Sequence, residues 1–201
     1  MRFAGVLLSA ALCALPGVAG AQQASAAAEH GASAVNQVVR PRRNILAIAA
    51  AYGVAAELNG SVATDASSLW VRWTHRTRAR FFGGEPAWGF ELVPVMTVNQ
   101  EPRAFGAGGH FVYEHRWLPD GRVRPLFRSG AGMVFTNTAV PVGETRYNFS
   151  LFAGAGVELE VGRGQWLSLE YRLHHVSNGD TGLRNPGINA HTFGFGVAWA
   201  F

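Results

Sequence analysis

The sequence predicts an all-β chain closed into an eight-stranded antiparallel transmembrane β-barrel. Three observations carry that reading. From Ile45 onward, apolar residues alternate with small or polar ones at period two, in segments of strand length. The chain is 48% hydrophobic and only 15% charged, with 25 glycines and 11% aromatic residues, which suits short strands joined by tight turns. Beyond residue 21, no apolar run approaches the roughly 20 residues that a membrane helix needs, so any crossing falls to strands.

The first element is an export signal over residues 1–21. Arg2 supplies the positive end, residues 6–15 the apolar core, and Ala19-Gly-Ala21 the small-residue cleavage site. Cys13, the chain's one cysteine, falls inside it, so the mature protein is expected to have neither a disulfide nor a thiol nucleophile. Residues 22–43 are small and polar, ending in Arg40-Pro-Arg-Arg43, and read as a flexible periplasmic leader. The barrel is expected over residues 44–201.

Its strands are expected at residues 45–58, 69–78, 88–98, 106–117, 123–135, 147–161, 166–176 and 191–201. The sixth is among the clearest. Phe149, Leu151, Ala153, Ala155, Val157, Leu159 and Val161 form one face; Ser150, Phe152, Gly154, Gly156, Glu158 and Glu160 form the other. The eighth splits Phe193, Phe195, Val197, Trp199 and Phe201 from Thr192, Gly194, Gly196, Ala198 and Ala200, and a terminal strand ending in Phe is usual in outer-membrane barrels. Pro119-Asp-Gly121 and Gly162-Arg-Gly164 read as short periplasmic turns, whereas 136–146 and 177–190 read as extracellular loops. A soluble sandwich or lipocalin-like barrel is the alternative. It would turn the apolar face inward and leave Glu91, Arg124, Arg128, Glu158, Glu160, Glu170 and Arg172 in solvent, whereas a membrane barrel would enclose them.

All 17 basic residues are arginine, and the net charge is a modest +4, which for an exported chain argues against nucleic acid as a partner. The histidines are too scattered to predict a metal site.

Chemistry concentrates in Tyr171-Arg-Leu-His-His-Val-Ser-Asn-Gly-Asp180 and Asn185-Pro-Gly-Ile-Asn189. In the seventh strand Leu167, Leu169, Tyr171 and Leu173 make the lipid-facing set. Continuing by twos puts His175 and Ser177 on the outside of the barrel at its extracellular end, and His174 inside. A histidine and a serine two apart on one strand face are within reach of a hydrogen bond, the minimum for an activated serine. The imidazole needs a third group to fix its tautomer, and Asn189 on the next strand is best placed to supply it. Glu170 points inward by parity and Asp180 lies in the loop, so both rank below it. The competing reading is a strand emerging into the headgroup layer, with Asn178-Gly179 starting a turn. Against it stands the cost of placing several polar groups together on a lipid face.

His175-x-Ser177-Asn178 on the penultimate strand, followed by Asn185-x-Gly-Ile and an aromatic end, resembles the lipid A 3-O-deacylase (PagL) family. The resemblance implies an outer-membrane barrel enzyme that hydrolyses the ester at position 3 of lipid A without a metal or other cofactor. It implies His175 as general base, Ser177 as nucleophile, Asn178 and Gly179 as part of the oxyanion hole, and Asn185 as their support. The family pattern has a Glu fourteen residues after the His, where this chain has Asn189. The segment is also similar to outer-membrane phospholipase A, a larger calcium-dependent dimer. Three readings stay open: the deacylase, a phospholipase A-like hydrolase and a non-catalytic structural barrel. The expected partners are lipid A, the outer-membrane bilayer and, for assembly as a homodimer, a second copy. Arg184 and Arg146 in the extracellular loops are candidates for lipid A phosphates or sugars.

Overall fold

The computed structural model describes residues 42–56 and 64–201. The export signal and all but the last two residues of the leader lie outside the described residues. Eight strands follow in order: β1 (Asn44–Ala55), β2 (Asp65–Arg76), β3 (Gly84–Asn99), β4 (Ala104–Trp117), β5 (Val123–Thr136), β6 (Tyr147–Gly162), β7 (Gln165–Ser177) and β8 (Ile188–Ala200). Each pairs antiparallel with the next, and β1 pairs with β8 from Ile45↔Ala200 to Ala55↔Ala190, closing the barrel. Closure leaves no edge strand whose backbone groups would lie unpaired in hydrocarbon.

The eight expected strands are present, most within a few residues of the expected bounds. The largest differences are the earlier starts of β2 at Asp65 and β3 at Gly84. Asp65-Ala-Ser-Ser carries no large apolar residue, yet it pairs in register with both β1 and β3, as in Ser67↔Tyr52 and Ser67↔Thr97. In β3 the pairing to β4 shifts between Val93 and Met96. Glu91 and Val93 face inward before Pro94, and Met96 and Val98 after it, so the bulge moves the inner face from odd to even positions.

Charge fills the middle of the lumen. Arg172 makes a two-pronged contact with Glu91 at 2.7 and 2.6 Å and reaches Glu170 at 2.5 Å. Arg72 bonds Glu91 at 2.9 Å and Glu170 at 3.2 Å. Arg128 bridges Glu170 to Glu114, Arg116 joins Glu114 at 2.5 Å to Glu158 at 3.1 Å, and Arg124 meets Glu158 at 2.7 Å. Each group is buried, which is tolerable only because each has charged partners at bonding distance. The enclosed charges overturn the soluble alternative, although Glu160 is only half-buried near the turn between β6 and β7.

Small residues on one strand make room for large ones from elsewhere in the wall. A Cβ at Gly194 would lie 2.6 Å from the Trp70 ring, and one at Gly130 would lie 2.5 Å from Phe152. Trp70 and Phe152 in turn flank the Arg172 guanidinium at 3.6 and 3.8 Å. Two apolar clusters accompany the charged layer. One contains Trp70, Val93, Met96, Val134, Val176 and Ile188; the other contains Ile45, Ala47, Trp166, Ala198 and Ala200. The outer wall is apolar and exposed, from Trp73, Trp88 and Phe201 to Tyr52, Phe135 and Phe193, as a surface bathed in lipid must be.

Candidate active site

Strand β7 starts at Gln165, opposite Trp199, and ends at Ser177, and β8 returns from Ile188. Their register pairs His175 with Asn189, Leu173 with His191 and Tyr171 with Phe193. The exposure of Leu169, Tyr171 and Leu173 and the burial of Glu170, Arg172 and Val176 fix the parity, so His175 and Ser177 belong to the outer face. The two carboxylates ranked below Asn189 are where sequence parity put them: Glu170 in the luminal ion-pair layer, Asp180 in the loop.

The contact expected across this hairpin is present: His175 Nδ1 lies 2.7 Å from Asn189 Oδ1. Since the amide oxygen can only accept, Nδ1 is the ring nitrogen that donates, and Nε2 is the one left to act as a base. Among the described residues, no hydrogen bond joins His175 Nε2 to Ser177 Oγ. Such bonds are often long without substrate and tighten around it. His175 and Asn189 are half-buried, and Ser177 is 9% exposed. A surface depression of about 220 Å³ opens beside the imidazole, lined by Leu173, His174, His175, Asn189 and Ala190. Along the same wall lies a depression of about 490 Å³ whose lining includes Leu169, Tyr171, Phe193, Ala155 and Val157.

The loop after Ser177 is built around Asn178. The Thr181 N–H donates to the Asn178 carbonyl at 3.2 Å, closing a turn in which Gly179 and Asp180 both have φ of 61°. That is the turn anticipated from Asn-Gly. Gly179 is required twice over, because a Cβ there would also lie 2.9 Å from the Phe149 ring. Asn178 is 2% exposed and its polar groups are committed. Its backbone N–H donates to Asn185 Oδ1 at 3.1 Å and its Nδ2 to the Arg184 carbonyl at 2.7 Å, while Oδ1 accepts from the Asp180 N–H at 2.9 Å. Among the described residues, the Gly179 N–H and Asn185 Nδ2 have no hydrogen-bond acceptor. Asn185 is thus oriented by its oxygen, with its NH₂ spare.

Sequence reasoning quoted Gly187 within Asn185-x-Gly-Ile but gave it no role. Its φ is 63°, and a Cβ there would lie 3.1 Å from His175 Cε1 and 3.6 Å from Ser177 Cβ, so its bare Cα lies against both residues. It also missed a second histidine–serine set inside the barrel. Ser150 Oγ lies 2.8 Å from His110 Nε2 and 2.7 Å from His174 Nε2, with Glu91 Oε1 3.5 Å from His110 Nδ1. Ser150 is fully buried, so no substrate reaches it. Only its inward parity was legible. Among the described residues, no group of three or more His, Cys, Asp or Glu is placed to hold a metal ion.

A family model described as lipid A 3-O-deacylase (PagL) matches residues 50–198. No curated protein sequence matches the chain significantly. Among solved structures, the chain is similar to the outer membrane enzyme PagL at 15% identity, covering 75% of this chain and 97% of that one, with a TM-score of 0.62. Two further likenesses have a TM-score of 0.47 and 11% identity each. Neisserial surface protein A covers 79% of this chain and 96% of its own, and OprG from Pseudomonas aeruginosa covers 80% and 96%.

Proposed function

Since the chain belongs to the lipid A 3-O-deacylase (PagL) family, we propose that Ser177 is its nucleophile, His175 its general base and Asn189 the group that orients the base. The enzyme is a hydrolase of the bacterial outer membrane that removes the 3-linked acyl chain of lipid A. Membership decides among the readings the sequence left open, against the phospholipase A-like hydrolase and the non-catalytic barrel.

The observation that carries the residue assignment is the 2.7 Å contact between His175 Nδ1 and Asn189 Oδ1. It leaves Nε2 as the basic nitrogen on the strand face that also bears Ser177. In the proposed reaction Nε2 takes the Ser177 proton as Oγ bonds to the ester carbonyl carbon. The tetrahedral oxyanion then collapses, breaking the bond to the sugar 3-oxygen, which leaves with the proton from His175. Water, deprotonated by His175, hydrolyses the acyl-serine, releasing the fatty acid and restoring Ser177. The oxyanion donors we assign are the Gly179 N–H and Asn185 Nδ2, each worth about 10² to 10³ in rate. Asn178 frames the hole, because its own N–H is already engaged with Asn185. No cofactor enters any step.

An outward site needs no enclosed pocket, because the bilayer delivers the substrate. The acyl chain is read as lying along Leu173, Tyr171, Phe193 and Phe195. The extracellular placement of this end, the export signal over residues 1–21 and assembly as a homodimer belong to the same proposal. Protease shaving of whole cells, N-terminal sequencing of the mature protein and sedimentation in detergent test these in turn.

The primary test is mass spectrometry of lipid A from cells expressing the wild type, Ser177→Ala or His175→Ala. Wild type should lose the 3-linked acyl chain and both variants should keep it. Full deacylation by Ser177→Ala would sink the assignment.

A further inference from the structure

We infer that Arg184 is a headgroup-binding residue that takes a phosphate of the lipid A glucosamine headgroup while the 3-linked ester sits at Ser177; this rests on the deacylase reading above. Arg184 is tied to the reaction centre through backbone. Its carbonyl accepts from Asn178 Nδ2 at 2.7 Å, and Asn178 directly follows Ser177. A Cβ on Gly182 would meet Asn178 Nδ2 at 2.7 Å and Thr145 Cγ2 at 3.2 Å, so the β5–β6 and β7–β8 loops are packed together here. Movement of the Arg184 backbone relative to Ser177 is therefore restricted on both sides.

The guanidinium is presented unevenly. Its Nη2 lies 3.1 Å from Glu144 Oε1, but the Glu144 side chain is 2% exposed and the Arg184 side chain 75% exposed. A solvated surface pair would expose both partners. Here the carboxylate is embedded in the loop and acts as a footing, and among the described residues Arg184 Nε and Nη1 have no protein partner. A guanidinium ion-paired through one nitrogen, with no hydrogen bond formed to that carboxylate, keeps its planar fork for an anion, and the fork matches the spacing of phosphate oxygens. Arg146 is placed differently, with its Nε directed at the Thr136 carbonyl at 3.4 Å.

The surroundings fit a lipid headgroup better than a soluble anion. Leu183, next to Arg184, is fully exposed, and Val142, two residues before Glu144, is 53% exposed. Apolar tips beside a guanidinium suit the boundary between acyl chains and phosphates, where each group finds its own partner. Asp180, in the same loop, is exposed and is the acidic group that would oppose the phosphate.

The test measures binding to protein carrying Ser177→Ala, so that the lipid is not consumed, with phosphorylated and enzymatically dephosphorylated lipid A in mixed micelles. Adding Arg184→Ala should weaken binding of the phosphorylated lipid about tenfold and leave the dephosphorylated lipid unchanged, while Arg184→Lys should restore only part. In the active background Arg184→Ala should raise KM by a similar factor, with kcat within twofold. Equal weakening toward both lipids, or none toward either, would overturn the inference. Loss of the deacylase reading would show separately, as a wild type that binds lipid A but releases no acyl chain.

Discussion

Replacing Asn189 with leucine separates catalysis from folding. The side chain faces lipid, so an apolar residue of similar size should leave barrel stability unchanged or raise it, because polar groups there are unfavourable. It also removes the 2.7 Å acceptor from His175 Nδ1. In the transition state the imidazole is cationic, and a hydrogen bond to a charged group is worth about 1.5–3 kcal/mol, so kcat/KM should fall roughly 10- to 150-fold. Asn189→Asp keeps the shape and adds the charge. A charge-assisted bond is about twice as strong as a neutral one, so activity should rise by up to about tenfold, and Asn189→Glu should match or exceed wild type. The assay is acyl release from lipid A in mixed micelles, run beside thermal unfolding of each variant. If Asn189→Leu keeps kcat/KM within twofold of wild type, or Asn189→Asp and Asn189→Glu abolish activity in folded protein, Asn189 does not orient the base.

Three further outcomes follow from the lumen. Glu91→Gln takes from Arg72 and Arg172 one of the two buried carboxylates that each pairs with, leaving Glu170 to serve both, and should cost about 3–5 kcal/mol, read by urea unfolding in lipid vesicles. Gly194→Ala drives a methyl to 2.6 Å from the Trp70 ring and should cost about 1–3 kcal/mol in the same measurement. Ser150→Ala strips the hydroxyl shared by His110 and His174, so stability should drop by about 1–3 kcal/mol while activity per folded molecule stays at wild type. Loss of activity with unchanged stability would make Ser150 the working serine.

The strands were legible because burial inside and lipid outside impose period two on every one, and β6 and β8 show it without interruption. The inner faces of β2 to β4 were harder to read. Pro94 and its bulge reverse the parity of β3, and Arg72, Glu114 and Arg116 escaped notice as members of the ion-pair layer that Glu91 and Glu170 announced. At the site, parity alone brought His175 opposite Asn189, because an antiparallel hairpin fixes register once its strands are known. The internal wiring of the loop was not legible. That Asn178 spends its N–H on Asn185, and that Glu144 supports Arg184 from another hairpin, depends on loop conformations that carry no periodic signal.

The lumen packed with Arg–Glu pairs has a consequence for how this enzyme meets its substrate. With the proposed nucleophile on the outer face of β7, encounters with substrate are two-dimensional. Rates should then follow the mole fraction of lipid A in the surrounding leaflet rather than its bulk molarity, with detergent or phospholipid acting as diluent. A middle filled with ion pairs and a proposed site on the wall thus make the membrane's composition the dial that sets turnover.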